Sequence, residues 1–222
     1  MKLTGYSAGG FPVYRADFKD YSEVSSFLNE GRWALKRIEF FYPYKREELR
    51  NVLRNGYFLC AKDGEKIIAT FALDTDRSYA RQLADVIKKC TLGKLSVPYA
   101  YETSGLMVDE RYRRRGIAGD MADAVISIAG EVFPEEYLCG VVQLENVGSM
   151  STFLSRGFLL GGIFSMGGEY DFGYFIRPSL APMPVPSGEE VKVAFRDIPG
   201  HLRALNAGKL GVGIDGEYIV YR

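Results

Sequence analysis

A cluster of arginines between two predicted elements is the part of the sequence best suited to chemistry. Strand-forming residues end at Val108, four arginines follow within residues 111–115, and Gly116 opens a helical pattern. A strand that leads into a helix in this way aims backbone N–H groups and the positive end of the helix at one point. Arginine side chains match phosphate oxygens in geometry as well as charge. The segment therefore predicts a site for a ligand that carries phosphate.

Hydrophobic periodicity predicts the elements that hold this loop in place. A strand over 101–108 leads into the loop, and a helix from Ile117 that stops at Gly130 leads out of it. The run 137–144 is apolar on both faces, as in a buried central strand. The other predicted elements are a strand over 11–14, a helix over 17–28 that stops at Gly31, a helix over 45–54, a hairpin over 57–73 that turns at Asp63-Gly64, an insertion over 75–100 with helical character at 78–90 and a loop at 93–98, a helix over 149–156, and strands over 158–164 and 170–176.

Two motifs in register resemble one known superfamily. The pattern Arg-x-x-Gly-x-Ala over 113–118 joins a predicted strand to a predicted helix. The pattern Asn-x6-Phe-x3-Gly-Phe over 146–158 follows the next apolar strand. Together they resemble the GNAT superfamily of acyl-CoA-dependent N-acetyltransferases, and the resemblance covers residues 11–176.

The resemblance implies an α/β (α+β) fold. Its centre is a mixed, mostly antiparallel sheet whose two middle strands splay apart, with helices on its flanks. We expect this domain to occupy residues 1–177, followed by a proline-rich linker over 178–188. Residues 189–222 predict a small C-terminal α/β extension, which packs on the domain or on a partner subunit.

The resemblance also assigns ligand contacts to three segments. The pre-loop strand holds the pantetheine arm of acetyl-CoA through its backbone, and the loop with the first helical turn surrounds the pyrophosphate. Asn146 contacts the pantetheine or thioester side, and Phe153 belongs to the same site. The implied residues are Leu106, Met107, Val108, Arg113, Arg114, Arg115, Gly116, Ile117, Ala118, Gly119, Asn146 and Phe153. By themselves these residues also fit a solvated arginine turn, a helix N-cap at Asn146, and core packing of Phe153.

The chemistry of acyl transfer to an amine requires a group that takes a proton from an ammonium. Glu102 lies on the pre-loop strand, at the distance where some branches of the superfamily carry a general base. A glutamate at a strand edge, paired with a lysine or arginine, is the equal alternative. Many members carry tyrosine as the acid where this chain has Phe153, so the departing thiolate takes its proton from another source, either water or another side chain such as Tyr170 or Tyr174.

The function implied by the resemblance is N-acetyl transfer from acetyl-CoA by direct attack of an amine in a ternary complex. The alternative is a non-catalytic acyl-CoA sensor or scaffold with the same fold. The amine could belong to a small molecule, a peptide or protein N-terminus, or a lysine. A longer acyl chain would need room beside the thioester, which Gly105 and the insertion over 75–100 either provide or close.

The net charge, the cysteine content and the distribution of apolar residues argue against several other classes of protein. A net charge of zero argues against a general nucleic-acid binder. Three cysteines without metal-type spacing predict neither a metal site nor a disulfide framework. No signal peptide or membrane-spanning run is evident, so we expect a cytoplasmic protein. A homodimer is one assembly that we consider for it. We expect the one histidine, His201, to pack within the tail or to lie at the surface. The glycine-rich segment 211–216 is expected to form a hairpin, because strand residues rather than a helix follow it.

Overall fold

Residues 1–91, 96–166 and 170–222 are described by the computed structural model, and they fall into two units. The first unit contains residues 1–76 and 103–129, and the second contains residues 77–102 and 130–222. In each unit, helices pack on a sheet in which the described neighbouring strands run antiparallel. The predicted α/β class with a mostly antiparallel sheet is confirmed.

The first unit contains five neighbouring strands that follow one another along the chain. They are β1 (Lys2–Ala8), β2 (Phe11–Ala16), β3 (Tyr57–Asp63), β4 (Lys66–Leu73) and the part of β5 (Ala100–Val108) from residue 103 onward, in the order β1-β2-β3-β4-β5. The turn between β3 and β4 uses Gly64 at φ 56°, which confirms the Asp63-Gly64 hairpin.

The strand β1 corrects the prediction that the sheet starts at residue 11. Its sequence gives a weak strand signal, because Gly5 interrupts it at φ 88° and Leu3 lies 58% exposed at the edge of the sheet. The turn that joins β1 to β2 uses Gly9 and Gly10, both at positive φ. The Gly-Gly pair at residues 9 and 10, which can form a tight turn between two strands, was the available signal.

Three helices belong mainly to the first unit: α1 (Tyr21–Trp33), α2 (Arg46–Asn55) and α4 (Ile117–Val132), whose last residues from 130 onward fall in the second unit. Buried side chains of α1 and α2 form one core with β3 and β4. The prediction that Gly31 ends α1 was wrong. A Cβ there would lie 3.0 Å from Cγ of Met107, so Gly31 serves close packing rather than termination. Gly130 likewise does not end α4.

The second unit begins with the inserted helix α3 (Arg77–Cys90), which confirms the helical character of the insertion. Residues 92–95, which include the first part of the loop predicted over 93–98, and residues 167–169 lie outside the described residues. The remaining elements are β6 (Tyr137–Gln143), α5 (Val147–Leu154), β7 (Leu159–Met166), β8 (Tyr170–Pro178), β9 (Val191–Ala194), α6 (Ile198–Asn206), β10 (Gly211–Asp215) and β11 (Tyr218–Tyr221). The strand order is β6-β8-β7-β10-β11-β9.

The C-terminal tail continues the sheet of the second unit. Gly211 of β10 pairs with Leu160 of β7, and a Cβ on Gly211 would lie 2.8 Å from Cβ of Leu160. The predicted hairpin over the glycine repeat is confirmed by the pairing of β10 with β11. His201 is fully buried between α6 and this hairpin, with Nδ1 2.8 Å from Oη of Tyr221, so its predicted packing role in the tail is confirmed. A role for the tail in a partner contact stays a prediction.

Candidate functional site

The arginine loop starts at the end of β5, where Asp109 fixes the direction of the chain. Its backbone N–H donates to the Ile68 carbonyl at 2.9 Å, and its carboxylate accepts a hydrogen bond from the Arg111 N–H at 3.0 Å. The same carboxylate forms ion pairs with Arg111 at 2.7 Å and Lys66 at 3.3 Å. Because Asp109 already holds Arg111, this arginine belongs to the frame of the loop.

Two residues of the loop have left-handed backbone conformations. Arg114 has φ 63° and Gly116 has φ 80°. A left-handed arginine is a strained conformation, and such strain is concentrated at functional sites. A Cβ on Gly116 would meet nothing within 4 Å, so glycine is needed there for its backbone conformation, and the space beside it is open.

The three arginines over 113–115 play different parts. Arg113 is half-buried and its Nε donates to the Val108 carbonyl at 3.0 Å, which ties the loop back to β5. Arg114 and Arg115 are exposed. The Arg115 guanidinium lies 5.3 Å from the ring centroid of Tyr112, whose hydroxyl donates to Asp63 at 2.8 Å. Two cations are therefore presented to solvent on a fixed loop.

The start of α4 completes this corner of the first unit. The Asp120 N–H donates to the Gly116 carbonyl at 3.1 Å where α4 begins, and N–H groups in the first turn of a helix point out of its end. Ile117 and Gly119 are buried, and Ala118 is half-buried. Backbone donors, the positive end of the helix and exposed arginines thus meet at one place, as expected for an anion site.

The turn between β1 and β2 stabilises the start of α4, a contact that was not predicted because β1 was not predicted. The Gly9 N–H donates to Oδ2 of Asp120 at 2.7 Å, and a Cβ on Gly9 would lie 2.6 Å from Cγ1 of Ile117. The turn between β1 and β2 therefore packs directly on the first turn of α4. The glycine pair and an acidic residue in the first helical turn were the only signals for this contact.

The strand before the loop carries the three residues predicted to hold the pantetheine. Met107 is buried in the core and pairs with Thr70, Val108 pairs with Ala69, and Leu106 is partly exposed. Upstream, Gly105 has φ 68° at an irregularity of the β4–β5 pairing, which confirms the predicted bulge or close approach. The close neighbour is Tyr44.

The room beside Gly105 is closed by Tyr44. A Cβ on Gly105 would lie 2.8 Å from the Tyr44 hydroxyl oxygen. That oxygen is 2.6 Å from Oγ of Ser104, so a hydrogen bond fixes the phenol on β5. Within the first unit, the space beside Gly105 is therefore filled by an aromatic side chain.

The candidate base Glu102 lies in the second unit, on the first part of β5, and is partly exposed. Its charge helps to raise the pKa values of Cys139 and Tyr174, although burial is the largest cause in both cases. The pKa of the Tyr174 phenol rises to about 12. Glu102 thus lies within electrostatic range of a half-buried tyrosine and a fully buried thiol.

Asn146 is the N-cap of α5, as one of its predicted roles required. Its Oδ1 accepts a hydrogen bond from the Ser149 N–H at 3.2 Å, and its own N–H donates to the Gln143 carbonyl at 2.9 Å. The residue is half-buried at the end of β6. Capping fixes its position, and a contact with ligand stays a prediction.

Phe153 lies in the core of the second unit and is 5% exposed. Its ring is perpendicular to Phe158 at a centroid distance of 4.8 Å and lies 6.0 Å from Phe175. A Cβ on Gly140 of β6 would lie 2.2 Å from the Phe153 ring. The structure therefore gives Phe153 a packing role, and its predicted place in the cofactor site stays a prediction.

The predicted residues fall into two groups. The first unit brings together residues 106–108 and 113–119 at the junction of β5 and α4. The second unit contains Glu102, Asn146 and Phe153. Among the described residues, no group of three or more histidines, cysteines or acidic residues is arranged to hold a metal ion. None of the helices in the described ranges has the length and apolar character needed to cross a membrane.

Comparison with known proteins gives a family match and a set of shared folds. A model of the Acetyltransferase (GNAT) family matches residues 24–158, which is more than half of the chain. No curated protein matches the sequence significantly.

Among solved structures, yncA from Salmonella typhimurium, determined with its cofactor acetyl-CoA, has a TM-score of 0.56 at 14% identity, with 81% of this chain and 99% of that chain covered. Arabidopsis thaliana NAA60 in complex with a bisubstrate analogue has a TM-score of 0.55 at 16% identity and covers 75% and 96% of the two chains. An N-acetyltransferase from Staphylococcus aureus Mu50 has a TM-score of 0.55 at 15% identity, covering 76% and 97%. At these identities the likeness concerns the fold.

Proposed function

We propose, from the premise that this chain belongs to the acetyltransferase (GNAT) family, that it moves the acetyl group of acetyl-CoA onto an amine. Membership makes the protein an acyltransferase, with acetyl-CoA as its cosubstrate. The observation that carries the proposal is the corner at the start of α4, where exposed arginines surround the open end of a helix beside the left-handed Gly116.

This corner suits the diphosphate of coenzyme A. Phosphate oxygens accept hydrogen bonds from backbone N–H groups at the end of a helix, and cations around them add charge-assisted bonds. We assign Arg114 and Arg115 to direct contact, because both are exposed. Arg113 mainly holds the loop on β5 through its bond to Val108.

The pantetheine arm is assigned to the residues that precede the loop. An extended ligand chain binds a strand as an added strand would, through backbone hydrogen bonds. Leu106, Met107 and Val108 supply these groups, and Asn146 supplies a further contact. The likeness to yncA, which was solved with acetyl-CoA, supports this assignment through the shared fold.

The reaction is a direct attack of the amine on the thioester. The nitrogen lone pair forms a bond with the thioester carbon, the carbon–sulfur bond breaks, and its electron pair leaves on sulfur. An ammonium must first lose one proton, the attacking nitrogen loses a second, and the thiolate gains one. The net products are an N-acetylated amine, the free thiol of coenzyme A and one proton.

We assign the removal of the proton from the amine to Glu102. It is the acidic side chain of β5, and it acts on the pKa values of Tyr174 and Cys139. A partly exposed carboxylate can accept a proton directly or through a water molecule.

Water is a better candidate than Phe153 or Tyr174 for the source of the proton that the thiolate gains. Phe153 has no proton to donate, and its ring lies in the core. Tyr174 keeps its proton, because burial raises the pKa of its phenol to about 12. An ordinary thiol has a pKa of about 8.5, so proton transfer from this tyrosine to a thiolate is unfavourable by roughly 3.5 pKa units.

The amine substrate belongs to a small molecule, a peptide or protein N-terminus, or a lysine. A panel of such amines, each mixed with acetyl-CoA and the protein, tests the proposal through release of free thiol. We expect release above background for at least one class of amine, with the acetylated product identified by mass spectrometry. Tight binding of acetyl-CoA without release for any amine would refute the proposed activity.

The variant Glu102→Gln tests the assignment of the base. We expect acetyl-CoA affinity measured by calorimetry to be unchanged, and kcat at neutral pH to fall by about 100-fold, the usual contribution of general base catalysis. Glu136→Gln is the matched control, because Glu136 is a partly buried carboxylate of the same unit. Normal turnover of Glu102→Gln would remove Glu102 from the mechanism.

A further inference from the structure

One face of the sheet in the second unit carries a row of side chains with no part in the chemistry described so far. Gln143 at the end of β6 lies directly opposite Phe172 of β8, and Phe172 lies opposite Phe164 of β7. Residues opposite one another on antiparallel strands project from the same face of a sheet. We call Gln143, Phe172 and Phe164 the amide–aromatic row.

The row is extended by a stack of aromatic rings. Phe164 stacks on Phe172 at a centroid distance of 5.4 Å and on Tyr174 at 4.8 Å. Phe164 and Tyr174 are partly exposed. At the neighbouring position, a Cβ on Gly162 would lie 2.4 Å from Cβ of Cys90, so the end of α3 covers the sheet there. The stack therefore offers apolar ring surface next to the end of α3.

The glutamine of the row carries a buried polar atom on an otherwise largely apolar face of the sheet. Gln143 is only 5% exposed, and its Oε1 has no hydrogen-bond partner in the part of the chain that the structure describes. Buried polar atoms nearly always have a partner, because burial without one is costly. An orphaned amide oxygen beside an aromatic stack points to a ligand that brings an N–H donor and an apolar body together.

The candidate base lies near the same stack. Glu102 belongs to the same unit, and its charge acts on the phenol of Tyr174, whose ring stacks on Phe164. The Tyr174 ring is therefore common to the aromatic stack and to the electrostatic surroundings of the candidate base. This relation connects the row with the substrate that must be deprotonated.

We propose that the amide–aromatic row binds the amine substrate, and that this substrate is a primary amine on an apolar, preferably aromatic, skeleton. Oε1 of Gln143 accepts a hydrogen bond from the N–H of the amine, and the rings of Phe172 and Phe164 cover its skeleton. A polar skeleton is disfavoured there, because its hydroxyl or carboxylate groups would lose water against the rings without gaining a partner. The inference rests on the proposed function, since it names the substrate class of that reaction.

The first experiment measures binding without requiring turnover. The whole protein, saturated with coenzyme A, is titrated with 2-phenylethylamine and with ethanolamine in a calorimeter. We expect 2-phenylethylamine to bind about tenfold more tightly or better, because it buries a ring against the stack. Equal affinity, or tighter binding of ethanolamine, would overturn the proposal.

The second experiment changes the glutamine. Gln143→Met keeps the length of the side chain and removes its polar atoms, and we expect about tenfold weaker binding of 2-phenylethylamine. Affinity for coenzyme A should not change, and the thermal midpoint should not fall, because the orphaned oxygen is gone. Gln82→Met is the matched control, since Gln82 is exposed on α3 of the same unit. Unchanged amine affinity in Gln143→Met would refute the role of the row.

A variant at the rim of the stack covers the case in which Gln143→Met does not fold. Phe164→Leu replaces a partly exposed ring. It should weaken the binding of 2-phenylethylamine about threefold or more, while the affinity for hexylamine should stay nearly unchanged. Equal loss for both amines would contradict the aromatic preference. Absence of thiol release from any amine would count against the proposed activity, whereas binding that does not depend on Gln143 or Phe164 counts against this inference alone.

Discussion

Replacing Arg115 with alanine tests the anion site while sparing the fold. The side chain is exposed, and its guanidinium contacts the ring of Tyr112 at 5.3 Å. In the proposed complex, Arg115 donates charge-assisted hydrogen bonds to the diphosphate, which together contribute about 1.5–3 kcal/mol. We therefore expect the affinity for coenzyme A to fall by about 10- to 100-fold.

The stability of the protein should change little in this variant. An exposed cation–ring contact contributes about 0.5–1 kcal/mol at most. Tyr112 keeps its hydrogen bond to Asp63 and its edge contact with Phe11 at 5.6 Å. For a chain of this size, such a loss lowers the thermal midpoint by about 2–4 °C or less. A large loss of affinity with a small shift in the midpoint separates ligand contact from folding.

Calorimetric titration with coenzyme A and with pantetheine provides the assay. Arg115→Ala should weaken the binding of coenzyme A and leave the affinity for pantetheine unchanged, because pantetheine lacks the diphosphate. Arg111→Ala is the matched control: it removes an equal charge from the same loop, but Asp109 already holds Arg111 at 2.7 Å. We expect less than about a threefold effect from the control. Equal losses in the two variants, or no loss in Arg115→Ala, would refute a direct contact at this corner.

Three further predictions follow from close contacts and burial. Gly140→Ala places a Cβ 2.2 Å from the ring of Phe153 and should lower the free energy of unfolding by about 2 kcal/mol, measured by urea denaturation, with partial recovery in a double variant that adds Phe153→Leu. Burial lowers the pKa of His201 below its ordinary value of 6.5, so protonation of this residue favours the unfolded chain as the pH falls below 6.5. The free energy of unfolding of the native protein should therefore decline between about pH 7.5 and 5.5, and His201→Gln should flatten that decline. Tyr44→Ala opens the space beside Gly105 and should raise the turnover of butyryl-CoA relative to acetyl-CoA by about tenfold, whereas Tyr44→Phe should not.

The order of elements could be predicted from the sequence wherever local signals agree. The junction of β5 and α4 is one example, because a strand pattern, a glycine and a helical pattern follow without a gap, and the helix does begin at Ile117. The hairpin at Gly64 and the tail hairpin are others, since each turn carries a glycine at positive φ. Such turns and helix starts depend on the conformational preferences of a few adjacent residues, so they can be predicted from the local sequence.

Contacts between distant residues could not be predicted in the same way. Gly31 looked like a helix stop because glycine often ends helices, yet its small size serves the approach of Met107. Tyr44 belongs to an aromatic run whose pattern does not say which ring meets Gly105. The hydrogen bond from Gly9 to Asp120 joins residues 111 positions apart. Glycine therefore marks a constraint in the sequence, and the fold decides whether the constraint is conformational or steric.

Phe153 shows how such a steric constraint bears on chemistry. Gly140 leaves space that the Phe153 ring fills, and Phe158 and Phe175 enclose the same ring. A tyrosine here would carry a hydroxyl into apolar surroundings, and burying it without a partner is unfavourable. The packing that suits phenylalanine thus works against an acid at this position. Since burial also makes the Tyr174 phenol a poor proton donor, we propose that the departing thiolate takes its proton from solvent rather than from Tyr174.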